Sequence, residues 1–177
     1  YLGIDLGGTN VAAAVVDDAG TILGRASLPT PRGVEPVADA MAAAAHAAAV
    51  DAGVGWEEIA TVGVGSPGTI QPAEGVVKYW SNLDFRDVPL AALLEARLNK
   101  EIHLENDANA AALGEYAAGA GKGSSSMVAI TLGTGVGGGV VIDGRIYNGV
   151  SGCAGEIGHI ICVDEKDITG NCRCGSR

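Results

Sequence analysis

The feature that most constrains this chain of 177 residues is a strand-turn-strand unit that occurs twice. Leu2 to Leu6 is a short apolar run broken by Gly7-Gly8-Thr9-Asn10, and small and β-branched residues resume from Val11 to Val16 before Asp17-Asp18-Ala19-Gly20. At a gapless offset of 126 residues Ile4 meets Ile130, Leu6 meets Leu132, Gly7 meets Gly133, Val15 meets Val141, Val16 meets Ile142 and Asp17 meets Asp143. Apolar runs punctuated by Gly, Asn and Asp read as hairpins. A chain rich in Gly and Val also yields such matches by chance, but the shared order of strand, turn, strand and Asp points to a duplicated, two-lobed α/β fold with a cleft between the lobes.

The rest of the chain fits between these hairpins. Thr21 to Leu28 reads as a third strand closed by Pro29 and Pro31, and the Ala-rich run from Val34 to Ala52 as a helix ended by Gly53. Ile59 to Gly65 is a strand leading into Ser66-Pro67-Gly68, followed by an irregular stretch as far as Asn82-Leu83-Asp84-Phe85. Pro89 opens a helix through Leu98, Ile102 to Glu105 is a strand, and Asn106-Asp107 begins a helix that reaches about Ala118. Gly119 to Ser126 is a Gly/Ser-rich hinge, after which come the strand Met127 to Leu132, the Gly-rich turn 133–139 and the strand Val140 to Ile142. The expected lobes are 1–119 and 120–177, the second incomplete.

Composition excludes several function classes. With 47% hydrophobic and 18% charged residues the chain is expected to fold around a core. A net charge of −10 with no Lys/Arg-rich run argues against a nucleic-acid or anionic-membrane surface. No apolar run approaches the ~20 residues of a membrane span, and the first residues lack the basic and apolar regions of a secretion signal, so a cytoplasmic protein is expected.

Two Gly-rich turns carry the chemistry. Without Cβ atoms their backbone N–H groups form a nest for phosphate oxygens, to which the hydroxyls of Thr9 and Thr134 add donors. The first turn lacks dinucleotide-binding spacing, the second is followed by a strand-like run where that motif needs a helix, and neither has a Gly-Lys-Ser/Thr. One alone would read as a plain hairpin turn, whereas two facing one cleft point to a nucleotide polyphosphate. Asp5, at the end of the first strand, is either a turn-stabilising side chain or a carboxylate that approaches phosphates through Mg²⁺. Asn106-Asp107-Ala108-Asn109 has the residues of a helix cap, and a carboxylate kept ionised by a helix N-terminus could also accept a proton during phosphoryl transfer. Glu156-Ile157-Gly158-His159 reads as strand-like, with Gly158 permitting a bend. His159, Cys172 and Cys174 supply three of the four ligands of a tetrahedral structural zinc, while Cys153 and Cys162 read as ordinary buried thiols.

These residues resemble the ROK family (repressor, open reading frame, kinase) of sugar kinases, within the sugar-kinase and actin-like ATPase superfamily with its ribonuclease H-like fold. Gly3-Ile4-Asp5-Leu6-Gly7-Gly8-Thr9-Asn10 is similar to its first phosphate motif, Leu132 to Gly139 to its second, and Glu105 to Ala112 to its catalytic segment. Gly155 to His159 and Cys172-Arg173-Cys174-Gly175 are similar to its sugar and zinc motif. The resemblance implies an ATP-dependent hexose kinase with Asp107 as base toward the sugar 6-hydroxyl. It also implies sugar contacts from Asn82, Asn106, Glu156 and His159, closure by Ser66, Pro67 and Gly68, and Mg-ATP held by Asp5, Gly7, Gly8, Thr9, Asn10, Gly133, Thr134 and Gly135. Structural zinc on His159, Cys172 and Cys174 completes the implied site, with a homodimer or homotetramer as the implied assembly.

Asn82-Leu83-Asp84-Phe85 followed by Val88-Pro89-Leu90 resembles the glucokinase branch, which makes glucose the expected sugar, with N-acetylglucosamine, N-acetylmannosamine, fructose or allose as alternatives. The family motif continues past Cys174 with a further Cys and a Glu, so the expectation is a sequence cut within its metal site and a 177-residue polypeptide that is a poor kinase alone. A sugar-sensing repressor of the same family is the rival reading. Such repressors usually add an N-terminal DNA-binding segment, while Asp5 and the intact first phosphate loop favour a kinase.

Overall fold

β1 (Leu2–Leu6) and β2 (Asn10–Val16) pair antiparallel, with Leu2 opposite Val15 and Leu6 opposite Val11. Their period-two alternation buries Leu2, Ile4, Leu6, Val11, Ala13 and Val15 on one face. β3 (Ile22–Pro29) continues the antiparallel meander, and α1 (Val34–Ala52) lies across β1 to β3. The alanines of α1 permit this close seat: a Cβ on Gly24 of β3 would collide with the backbone of Ala52. Gly53 then ends the helix in the left-handed region, φ 68°, its N–H directed at the Ala49 and Val50 carbonyls. The computed structural model describes residues 1–133 and 135–160.

β4 (Val62–Ser66) runs parallel to β1. β5 (Thr69–Gln71), β6 (Val76–Trp80) and β7 (Phe85–Val88) form a small antiparallel sheet of their own. The sequence reading made this stretch irregular; instead Ile70, Val77, Trp80, Phe85 and Val88 turn inward to the core. Their alternation is masked by the turn at Gly75 and by Asp84 and Asp87, which adopt positive φ. α2 (Leu90–Leu98) follows, and β8 (Ile102–Asn106) adds in parallel beside β4, giving the order β3-β2-β1-β4-β8.

α3 (Asp107–Ala118) leads to a second antiparallel sheet of β9 (Ser126–Leu132), β10 (Val136–Ile142) and β11 (Arg145–Ile146). The hairpin repeats, with one correction to the gapless offset. Four residues separate the paired ends Leu6 and Val11, but three separate Leu132 and Val136. The second turn is one residue tighter, so the counterpart of Val15 is Val140 and not Val141.

A second correction concerns the Gly-rich turn 133–139, which is really a short turn plus strand. Gly137, Gly138 and Gly139 lie in β10, where their missing side chains make room for neighbours. A Cβ on Gly139 would lie 2.5 Å from Ala112 Cβ and one on Gly137 3.1 Å from Ala108 Cβ, so α3 sits hard against this sheet. α3 also touches the first sheet, with the Gly65 Cβ position 3.5 Å from Asp107 Cα. The opposite face of β9 is open: Val128, Ile130 and Leu132 are 61%, 58% and 82% exposed, whereas Leu2, Ile4 and Leu6 are buried under α1. No described helix is long and apolar enough to cross a membrane.

Candidate active site

The junction of β8 and α3 shapes the site. Asn106 is the N-cap: its Oδ1 accepts the N–H groups of Ala108 and Asn109 at 3.0 and 3.2 Å, and its Nδ2 donates to the Gly68 carbonyl at 3.2 Å. One side chain thus starts the helix and ties it to the loop after β4. Asp107, the first helical residue, accepts the Ala108 N–H on Oδ1 at 2.9 Å.

Facing this junction is the segment after β11. A short 3-10 turn spans Ile157–His159 in place of the strand expected from the sequence. Local bonds enforce it, from Ile157 N–H to Gly155 O and from His159 N–H to Glu156 O. Glu156 and His159 lie 3.6 Å apart, each about half exposed. Both are brought to the sheet by Gly138, whose Cβ would come within 2.6 Å of Gly155 O and 2.8 Å of Ile157 Cδ1.

Between the two halves opens a cleft of about 550 Å³, lined by Gly68, Asn106 and Asp107 on one side and Glu156 and His159 on the other. Tyr79, Trp80 and Ser81 from the end of β6 also line it. The sequence reading missed them because it treated this region as irregular. Trp80 is held edge-on to Phe85, ring centroids 5.7 Å apart. Ser66 and Pro67 do not line the cleft: Ser66 is buried, with its hydroxyl directed at the Pro67 carbonyl at 3.3 Å. Asn82 also lies off the lining, its Nδ2 3.6 Å from the point where a Cβ on Gly8 would stand, which places it beside the first Gly-rich turn. Cys153, read as a buried thiol, is exposed and lines the cleft.

Each Gly-rich turn is closed by a backbone bond from its first glycine, Gly7 N–H to Asn10 O at 3.0 Å in the first and, one residue tighter, Gly133 N–H to Gly135 O at 2.9 Å in the second. Thr30 braces the first through its hydroxyl on Gly7 O, 2.7 Å. Thr9 is exposed, and Thr134 lies outside the described residues. Asp5, next to last in β1, lies beside this turn, and its carboxyl is held above the ordinary range, first by desolvation and then by the negative charge of Asp107. Two oxygen-only carboxylates in one field are a donor set that fits a hard divalent cation such as Mg²⁺. Of the residues expected to hold zinc, His159 lines the cleft, while Cys172 and Cys174 lie outside the described residues, as does Cys162. Among the described residues no group of three metal-binding side chains comes together.

A β3-β2-β1-β4-β8 sheet, a repeated hairpin and a cleft over a strand-to-helix Asn-Asp pair are together a specific combination, and the ROK family model matches all of residues 1–177. The chain belongs to the ROK family. Among its relatives is the glucokinase of Streptomyces coelicolor, 43% identical over 176 residues, covering 99% of this chain and 53% of that protein. The N-acetylmannosamine kinase of Vibrio cholerae is 38% identical over 179 residues, covering 99% of this chain and 58% of that protein. A ROK family glucokinase from Streptomyces griseus, solved with glucose and AMPPNP, superimposes with a TM-score of 0.83 at 41% identity over 92% of this chain and 51% of that one. The chain spans about half the length of the curated relatives it matches.

Proposed function

We infer that this chain carries the sugar pocket and part of the nucleotide site of an ATP-dependent hexose kinase that phosphorylates the 6-hydroxyl of glucose. The observation that carries the reading is the convergence of Asn106 and Asp107 with Glu156 and His159 on one cleft, beside the Asp5 carboxyl. Asp107, at the N-terminus of α3, accepts the proton of the sugar hydroxyl as the phosphoryl group is transferred. Asn106, Glu156, His159 and the Gly68 backbone fix the other hydroxyls, with Asn82 at the rim, and Ser66 and Pro67 set the loop that carries Gly68. The turns 7–10 and 133–135 bind the phosphates through backbone N–H groups and the hydroxyls of Thr9 and Thr134. Mg²⁺ at Asp5 would neutralise phosphate charge in a loose transition state.

In this reading 1–119 is the first lobe and 120–177 opens the second. His159, Cys172 and Cys174 hold a structural zinc whose role is to orient His159 toward the sugar. The protein works in the cytoplasm as a homodimer or homotetramer. The decisive experiment is an ADP-release assay on the full-length protein over a hexose panel, with Asp107→Ala alongside. Glucose-dependent turnover that falls by about 10²- to 10⁴-fold in the variant is the expected result; full activity of Asp107→Ala would remove the base. A panel led by N-acetylmannosamine would change the substrate and keep the mechanism. Sugar binding without ADP release would favour the repressor reading. Metal analysis should find about one zinc per chain, lost on Cys172→Ser; an active, zinc-free protein would overturn the metal site.

A further inference from the structure

Beneath the site lies a closed ring of three hydrogen bonds that joins the two sheets. Glu105, the β8 residue before Asn106, accepts Asn109 Nδ2 on Oε1 at 3.1 Å, and Asn109 Nδ2 also donates to Asn148 Oδ1 at 2.8 Å. Asn148 Nδ2 returns to Glu105 Oε2 at 3.1 Å. Asn109 sits on α3 and is 3% exposed, and Asn148 follows β11. Each end of the ring reaches a different half of the cleft. Glu105 Oε1 also accepts the Asn106 N–H at 2.8 Å, fixing the backbone that carries Asn106 and Asp107. Asn148 accepts the Ala154 N–H on its carbonyl at 3.1 Å, two residues before Glu156. A partly buried carboxylate whose bonds all come from amide donors, one of them the buried Asn109, favours one arrangement of its partners, because an unpaired member carries a desolvation cost.

We propose that Glu105, Asn109 and Asn148 are positioning residues, a polar clasp that holds the Asn106-Asp107 half of the sugar pocket in register with the Glu156-His159 half. None of the three lines the cleft, so their effect passes through the residues that do. The proposal rests on the hexose-kinase reading above. Loss of the clasp separates sugar contacts that arise from different sheets, so it weakens the hexose more than the nucleotide.

The test uses donor polarity. Glu105→Gln sets an amide against the Asn148 amide, and Asn148→Asp sets a carboxylate against Glu105. In the double variant the amide introduced at 105 donates to the carboxylate introduced at 148, and the ring closes again. In full-length protein each single variant should raise KM for glucose, or for whichever hexose the wild type phosphorylates best, about tenfold, with KM for ATP within about twofold. The double variant should return to within about threefold of wild type. A double variant no better than the worse single, or singles with unchanged hexose KM, overturns the clasp while wild-type turnover keeps the kinase reading standing. If a single variant does not fold, Asn148→Ala makes the same comparison without opposing charges, and an unchanged hexose KM there overturns the proposal. A wild type that phosphorylates no hexose overturns the kinase reading and the clasp with it.

Discussion

At the residue scale the energetics centre on Asp5 and Asp107. The Asp5 carboxyl lies above its ordinary value of 3.8 in the folded protein, through desolvation and the Asp107 charge. The folded state therefore holds that proton more tightly than the unfolded chain does, and ionising Asp5 costs folding free energy. This cost is absent below the unfolded value, grows as pH rises through the interval between the two, and is complete above the folded value. Asp5→Asn is expected to raise Tm near about pH 7 and to leave it unchanged near about pH 3. Mg²⁺ should raise Tm of the wild type and not of the variant; an Asp5→Asn protein less stable than wild type at neutral pH would contradict this. The sequence made Asn106 and Asp107 legible because a strand end followed by Asn-Asp is a cap signature. Asn148 gave no such signal: an isolated Asn in a Gly-rich loop has no pattern until α3 and β8 are folded against it.

At the scale of elements, glycines decide how closely the pieces approach. Gly138 of β10 seats the turn that carries Glu156 and His159, so Gly138→Ala must push that turn outward. The expected cost is about 1–3 kcal/mol in urea unfolding, together with a raised hexose KM. Gly3→Ala is the matched control, because a Cβ there meets nothing within 4 Å, and its effect should stay within about 0.5 kcal/mol. Equal effects at the two positions would show that space is not the reason for Gly138. The helices and β1 to β4 could be read from periodicity and caps, since each repeats its pattern over several turns or alternations. β5 to β7 could not, because strands of three to five residues interrupted by positive-φ aspartates, Asp84 before β7 and Asp87 within it, show too few alternations. The one-residue difference between the hairpins was hidden as well: a run of glycines can be aligned in either register, and only strand pairing fixes it.

At the scale of the molecule, the two sheets are unequally covered. The face made by Val128, Ile130 and Leu132 is apolar and open, while its counterpart in the first sheet is buried under α1. Exposed apolar surface of this kind drives association. The 177-residue polypeptide by itself is expected to bind a hydrophobic dye and to self-associate, and Ile130→Thr with Leu132→Lys should reduce both; a monodisperse, dye-silent polypeptide would contradict this. Between the sheets runs α3, in contact with Gly65 on one side and with Gly137 and Gly139 on the other. A rod wedged between two plates behaves as a fulcrum. Were the plates to tilt, points far from the rod would travel and points on it would hardly move, so the Asp107 carboxylate at its tip would keep its place.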